Sequence, residues 1–419
     1  IKFHNFYTNY VFYPVPVRYF WSMFNNKIRQ FEFIALMSSL MSVVALAIDA
    51  LLPALEYIGI TIGTKESNDN QLIISMIFLG LGMGPLFFGP LSDSLGRKPI
   101  VYLGFSIFVI ASFICVFAPN LEVMIIGRIL QGVGLSAPRT ISIAMVRDTY
   151  SGDYMARIMS FITVVFLLVP IMAPAMGKFI LDHYNWQAIF YSQLLTSIIV
   201  SFWFWKRQPE TLPEERRIRF TSHLFVDGLK EIVKYKTTLG FTIISGFITG
   251  SFIVYLSASQ QIFQQQYRLK EEFPFIFAGL AISIGTATFL NGTMVLKLGM
   301  RRLATIALTI YFLVSLSYVI FFYDKTNPPV AILLTFFALQ FFSIGFLFGN
   351  LRALAMQPVG HIAGIGAAIT GFISTIMAVP ISTFIGRYIN HTALPIFIGF
   401  TICSALSLVI LYLIRKVKE

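Results

Sequence analysis

Gly89-Pro90-Leu91-Ser92-Asp93-Ser94-Leu95-Gly96-Arg97-Lys98-Pro99 is a short polar joint between two apolar runs, 71–90 and 99–118. Each run is close to the ~20 residues needed to cross a bilayer as a helix. A joint this short, basic and punctuated by Gly and Pro turns the chain straight back into the same membrane. Reading outward from it, comparable runs fall at 33–58, 121–146, 157–180, 187–206, 238–259, 274–296, 303–323, 329–351, 362–386 and 393–414, twelve in all. Composition agrees, with 57% hydrophobic and only 12% charged residues and a mean hydropathy of +0.77. Soluble domains carry about 25% charged residues. A soluble enzyme, a disordered chain and a disulfide scaffold are therefore excluded. The expected fold is an all-α polytopic membrane protein, twelve transmembrane helices in two six-helix bundles.

The widest polar interval, residues 207–236, follows the sixth span and divides the chain. This predicts an aromatic-rich interfacial segment over 1–30, a first bundle over 31–206, a cytoplasmic linker over 207–236, and a second bundle with a short tail over 237–419. Within the linker, Phe225, Leu229, Ile232 and Val233 fall at helical spacing. They read as an amphipathic helix on the membrane surface or as a solvated connector. The first apolar run is too long for a cleavable signal peptide. A faint internal repeat supports the two halves: Gly89 to Pro99 matches Met294 to Leu303, with Gly96 aligned to Gly299 and Asp93 to Leu296. Duplicated halves with the binding site between them are common among secondary transporters.

The net charge of +12 has a topological explanation. With the N-terminus inside, 23 of the 31 Lys and Arg fall in cytoplasmic segments, six outside, and two, Arg128 and Arg139, within the fourth span. The positive-inside rule then places both termini in the cytoplasm, and no nucleic-acid partner is needed; the expected location is a bacterial inner membrane. Cys115 and Cys403 sit in apolar runs, the five histidines are scattered, and no phosphate-binding loop occurs. No metal, catalytic constellation or bound cofactor is expected, and a proton gradient is the expected energy source.

Among the 19 acidic residues only Asp49 lies well inside a span. An ionisable group at that depth costs a few kcal/mol on insertion scales and marks function by default. Because desolvation disfavours its charged form, it can load and release a proton as water access alternates. The other reading is a structural acid capping a kink beside Pro53. Arg128 and Arg139, eleven residues apart, project to nearly one face of the fourth span. Arg128 is the better partner for Asp49 by depth. Arg139 faces the cavity, meets Asp148, or snorkels to the interface. In the joint, Gly89 and Gly96 permit close contact and a tight turn, while Arg97 and Lys98 anchor the inner face.

These residues resemble the major facilitator superfamily, and within it the bicyclomycin-resistance (Bcr/CflA) type of drug:proton antiporter, over about 31–415. Gly89 to Asp93 and Gly96-Arg97-Lys98 are similar to its loop 2–3 signature. Arg128-Ile129-Leu130-Gln131-Gly132 is similar to its span 4 signature. Pro170, Ala173-Pro174 and Gly177 are similar to its span 5 antiporter signature, with Ala173 where glycine is usual. Ile48-Asp49-Ala50-Leu51-Leu52-Pro53 resembles the span 1 segment of drug exporters. Val146-Arg147-Asp148 and Pro209-Glu210-Thr211-Leu212 also match the type. The resemblance implies that Asp49 carries the proton, that Arg128 tunes it, and that Asp93 and Arg97 form a latch closing one end of the cavity.

The expected function is proton-coupled efflux of small amphipathic compounds by alternating access, drug:H+ antiport by a monomer in contact with lipid. A single intramembrane acid suits neutral or monocationic cargo. A proton-linked exporter or importer of a native metabolite is the alternative, and a non-transporting sensor the third class. Gln131, Arg139, Tyr255, Gln260, Asn291, Gln340 and Asn350 are candidate cavity residues, with interhelical hydrogen bonding as their other reading.

Overall fold

The computed structural model describes residues 17–217 and 223–415, so the segment 1–16 of the aromatic-rich stretch and the tail 416–419 lie outside the described residues. Residues 17–30 are helical and run directly into the first span, as α1 (Val17–Asp49). A 3-10 turn (Leu52–Ala54) with Pro53 interrupts that span before α2 (Leu55–Ile62) completes it. Then follow α3 (Gln71–Leu95), α4 (Arg97–Val116), α5 (Leu121–Thr149), α6 (Gly152–His183) and α7 (Trp186–Arg207). After α8 (His223–Lys234) come α9 (Lys236–Gln260), extended by a π-helical turn (Gln261–Gln266), and α10 (Phe273–Leu298). The chain ends with α11 (Met300–Phe322), α12 (Val330–Met356), α13 (Ala363–Gly386) and α14 (Leu394–Arg415). Among the described residues there are twelve helical spans long and apolar enough to cross a membrane and no strand. Helices dominate because a bilayer core offers no water to backbone N–H and C=O groups.

Helices α1 and α3 to α7 pack mainly on one another, as do α9 to α14, and the halves meet where α3 lies on α13 and α6 on α10. Close approach in the first half depends on Gly132 of α5 facing Gly80 of α3. A Cβ on Gly132 would overlap the Ile77 carbonyl oxygen and lie 3.0 Å from the Gly80 Cα. The second half is filled by aromatic rings instead. Tyr255 is edge-on to Phe341 at 4.4 Å and Tyr318 stacks on Phe397 at 3.7 Å.

Because each span reverses direction, the molecule has two ends: the Gly96 end, where α3 meets α4, and the Asn68 end, where α2 meets α3. The Asn68 end is sealed by amides crossing between the halves. Gln71 Nε2 donates to Gln261 Oε1 at 2.8 Å, Gln261 Nε2 to the Ile389 carbonyl at 2.6 Å, and Asn68 Nδ2 to the Arg387 carbonyl at 2.9 Å. Lys178 of α6 adds an ion pair to Glu271 before α10 at 3.0 Å. Toward the Gly96 end the halves part, and Thr288, Phe289, Gly292, Thr293, Met294 and Leu296 of α10 are all exposed.

Helix α8 lies within the interval where the sequence predicts an amphipathic linker helix. Its apolar face is covered by protein, with Ile232 fully buried against Val359 and Ile369, and Phe225 edge-on to Phe372 at 6.3 Å. Val233 alone of the four apolar positions stays exposed. Helix α13 packs on it because Gly228 lets Ile365 and Ile369 approach the helix backbone. Gly89 departs from expectation, since a Cβ there would meet nothing within 4 Å.

The two glycines therefore predict opposite outcomes for one methyl group. Gly132→Ala should destabilise by about 1–3 kcal/mol through overpacking, read as a lowered detergent-solubilised melting temperature, whereas Gly89→Ala should leave it unchanged or slightly raised. Equal melting curves for the two variants would contradict this packing.

Candidate functional site

Helix α1 stops at Asp49 because Pro53 cannot donate a backbone hydrogen bond and the chain turns at Ala50. Carbonyls in the last turn of α1 thereby lose their helical donors and need partners from elsewhere. Arg128, with no solvent exposure, supplies one: its Nη2 donates to the Ala47 carbonyl at 3.1 Å. Its Nε donates to the Ile73 carbonyl of α3 at 2.7 Å, and its Nη1 to Gln131 Oε1 at 2.7 Å. Gln131 Nε2 donates onward to Ser112 Oγ of α4 at 2.7 Å. One guanidinium thus joins α1, α3 and α5, and through Gln131 reaches α4. Gly177 of α6 completes the surroundings, since any Cβ there would overlap the Ala50 carbonyl oxygen. Pro170 and Pro174 lie earlier in the same helix, which is assigned unbroken from Gly152 to His183.

The expected Asp49–Arg128 ion pair is absent. Arg128 is turned toward backbone carbonyls, and the Asp49 carboxylate makes no hydrogen bond or ion pair among the described residues. Its electrostatic neighbour is Tyr255 of α9, whose buried hydroxyl is itself unpartnered. Asp49 is buried and keeps only 5% of its surface accessible.

Of the candidate cavity residues, the structure brings few to open space. Gln340 is fully buried and donates to the Tyr311 carbonyl at 3.1 Å, tying α12 to α11. Asn350 donates to Asn291 Oδ1 at 2.7 Å, tying α12 to α10, and Gln260 donates to Gln264 at 3.1 Å. Tyr255 is 2% exposed within the aromatic core. The NH2 group of each of these amides donates to a partner because an unpaired amide in an apolar interior is costly, although Gln340 Oε1 is left without one among the described residues. Arg139 alone is exposed and faces the space between the halves. It does not meet Asp148, which Arg97 occupies.

Arg97 organises the Gly96 end. Its Nε and Nη2 donate to Asp148 at 2.8 and 3.2 Å, and its Nη1 to Asp93 at 2.5 Å and Ser92 Oγ at 2.8 Å. Thr211 Oγ1 donates to Asp148 at 2.9 Å. Gly96 adopts φ +97°, a conformation L side chains avoid, and this turns the chain so that the Arg97 and Lys98 N–H groups both reach Glu210 at 3.0 Å. Burial alone would raise the Glu210 carboxyl, but the N–H groups of Lys98, Leu212, Arg97 and Thr211 outweigh it and hold the group below its ordinary range. Lys98 Nζ reaches the Trp205 carbonyl at 3.3 Å. These partners come from the first half and from the start of the linker that follows it, and none comes from the second half. In this conformation Asp93 and Arg97, implied as a latch closing one end of the cavity, brace the first half and the linker against each other.

Sequence reading missed two features. Arg352 lies in α12, four residues before its end, although the hydropathy boundary left it in the following loop. The amides Asn68, Gln71 and Gln261 seal one end; their only signal was that Gln71 and Gln261 sit at the borders of apolar runs.

Twelve spans, two similarly packed halves and a polar interior between them define a polytopic membrane transporter. Residues 33–381 match the Major Facilitator Superfamily, and the chain belongs to that family. It is 26% identical over 397 residues to the bicyclomycin resistance protein homolog of Haemophilus influenzae, covering 94% of this chain and 98% of that one. It is also 26% identical over 387 residues to the multidrug resistance protein MdtL of Vibrio parahaemolyticus, covering 88% and 92%. Among solved structures it superposes on the partially occluded inward-open xylose transporter XylE from E. coli with a TM-score of 0.71 at 13% identity, covering 93% and 98%. That last likeness shows the fold alone.

Glu210 generates a pH-dependent prediction. Its folded value lies below the ordinary 4.5, so its contribution is complete above 4.5 and is lost as pH falls through the folded value. Glu210→Gln should melt lower than the parent at neutral pH, with the gap closing only below 4.5. A gap that persists unchanged in acid would show that the carboxylate charge is not what binds those N–H groups.

Proposed function

We propose that this chain exports small amphipathic compounds from the cytoplasm in exchange for protons, by alternating access. The observation that carries the reading is Asp49, a carboxylate at an interior helix break with no ion-pair partner among the described residues and a small accessible surface. A charge-paired acid would be locked in its ionised form, whereas an unpaired one can take a proton when water reaches it and lose it when the environment changes. Arg128 tunes this indirectly, by holding the Ala47 carbonyl and so the end of α1. Gly177 lets α6 pack on the same break. Tyr255, carried by the other half, senses the charge of Asp49 and links its protonation to the relative position of the halves.

The distribution of Lys and Arg supports placing the Gly96 end and both termini in the cytoplasm; the proposed setting is a bacterial inner membrane, with the protein acting as a monomer. The conformation described is then open to the cytoplasm and sealed outside by the Gln71–Gln261 amides. Its relatives include a bicyclomycin resistance protein homolog and a multidrug resistance protein, which supports export of foreign compounds over uptake. The protein itself holds no step of chemistry: it binds, occludes and releases, and the proton gradient supplies direction.

The test uses everted vesicles and a compound against which expression of this chain protects an efflux-deficient host. Adding that compound under an imposed gradient should release protons from the lumen. Asp49→Asn should abolish that release while leaving gradient-independent exchange of labelled compound within about threefold of the parent. Undiminished accumulation against a gradient in Asp49→Asn would remove Asp49 as the proton carrier.

A further inference from the structure

Arg139 and Arg352 stand on opposite halves, ten residues before the end of α5 and four before the end of α12. Protein surrounds both, yet both side chains are solvent-accessible, so they face the space between the halves at its open end. They are close enough that the charge of Arg352 acts on Arg139. Neither guanidinium meets a carboxylate within 4.0 Å or donates a hydrogen bond among the described residues. The nearby acids are spoken for or withdrawn: Asp148 holds Arg97, and Asp49 is buried in α1. Arg128 shows the contrast, since its three hydrogen bonds leave it structurally engaged.

Two arginines that cannot shed their protons, aimed into one cleft without a counter-charge, repel each other unless an anion lies between them. An apolar surface adjoins them. Phe348 lies one turn deeper on the Arg352 face of α12, half-buried and edge-on to half-buried Phe252 of α9 at 5.5 Å. Gly371 gives the wall beside Arg352 no side chain, a Cβ there being 3.8 Å from Nη2. We propose that the cargo is an amphipathic organic anion, its carboxylate, sulfonate or phosphate held between Arg139 and Arg352 and its apolar body against Phe252 and Phe348. This replaces the neutral or monocationic cargo expected from a lone acid, and it deepens the efflux reading, on which it rests for the direction of movement.

The experiment uses the full chain in zwitterionic nanodiscs with two probes, dansyl-phenylalanine and its uncharged carboxamide. The carboxylate should bind about tenfold or more tightly than the amide, with affinity falling as salt rises. Arg139→Gln and Arg352→Gln should each weaken the carboxylate by about tenfold or more and leave the amide unchanged, while Arg139→Lys recovers part of the loss. Melting curves identify any variant that fails to fold, and the carboxylate-to-amide ratio within the parent chain decides the matter without variants. Equal binding of the two probes, failure of the carboxylate to bind, or parental affinity in both well-folded Gln variants overturns the proposal. So does a response that follows added phosphatidylglycerol instead of probe charge, which would assign the arginines to a lipid headgroup. Proteoliposomes separate this from the transport reading. Arginine-dependent binding without gradient-driven movement defeats proton antiport and leaves the anion site standing, whereas gradient-driven movement of ethidium indifferent to both arginines does the reverse.

Discussion

Arg128 carries a full positive charge with no solvent exposure and no carboxylate within 4.0 Å among the described residues, and the first half of the molecule is arranged around satisfying it. Its donors go to backbone carbonyls on α1 and α3 and to Gln131. The Pro53 interruption of the first span leaves the Ala47 carbonyl open to Arg128, while the Ile73 carbonyl in the first turn of α3 accepts through a second lone pair. The break in turn ends α1 at Asp49 and brings Ala50 against Gly177 of α6. Position of the acid, packing of α6 and burial of the arginine are therefore one problem with one solution. Removing a buried charge's partners is far more damaging than never having had them, which explains why so many elements converge there.

The two halves share a backbone plan and differ in what locks it. Gly96 and Gly299 occupy equivalent junctions with the same left-handed backbone, φ +97° and +78°. In the first half Asp93, Arg97, Asp148 and Glu210 turn that junction into a charged brace. In the second, Leu296 stands where Asp93 does, and nothing lies within 4 Å of a Cβ placed on Gly299. Among the described residues, the α10–α11 junction keeps a single backbone-directed tie, Arg301 Nη2 donating to the Ile414 carbonyl at 3.3 Å, where its counterpart carries a network of charged partners. Together with the exposed lower half of α10, this makes the second half the part with room to rearrange at the open end, against a first half held as a unit.

Much of the plan was readable along the chain. Hydropathy is a sum over neighbours, so the spans emerge from a window, and the glycine junctions emerge from short motifs. Asp49 was singled out for the same reason, as a charge in an apolar run. Side-chain roles were less accessible. Arg128 was read with Asp49 because opposite charges at similar depth attract, but a line of residues carries no record of which carbonyls a helix break sets free. Gln340, Asn291 and Asn350 looked like cavity groups because amides in apolar runs are rare, and their pairing with one another or with a carbonyl depends on helix rotation. Arg352 was lost at a boundary, where hydropathy falls gradually while the helix continues for another turn.

The sequence by itself determined a twelve-span helical membrane protein with an internal repeat, a charged joint at Gly96 and a solitary acid at Asp49, because each follows from local composition or spacing. Only the tertiary structure decided that Arg128 binds backbone instead of Asp49, that α8 rests on α13, and that Arg139 and Arg352 face one cleft unpaired. Those outcomes turn on which helix faces meet across hundreds of residues. Burial then rewards every polar group that finds a partner and leaves conspicuous the few that do not.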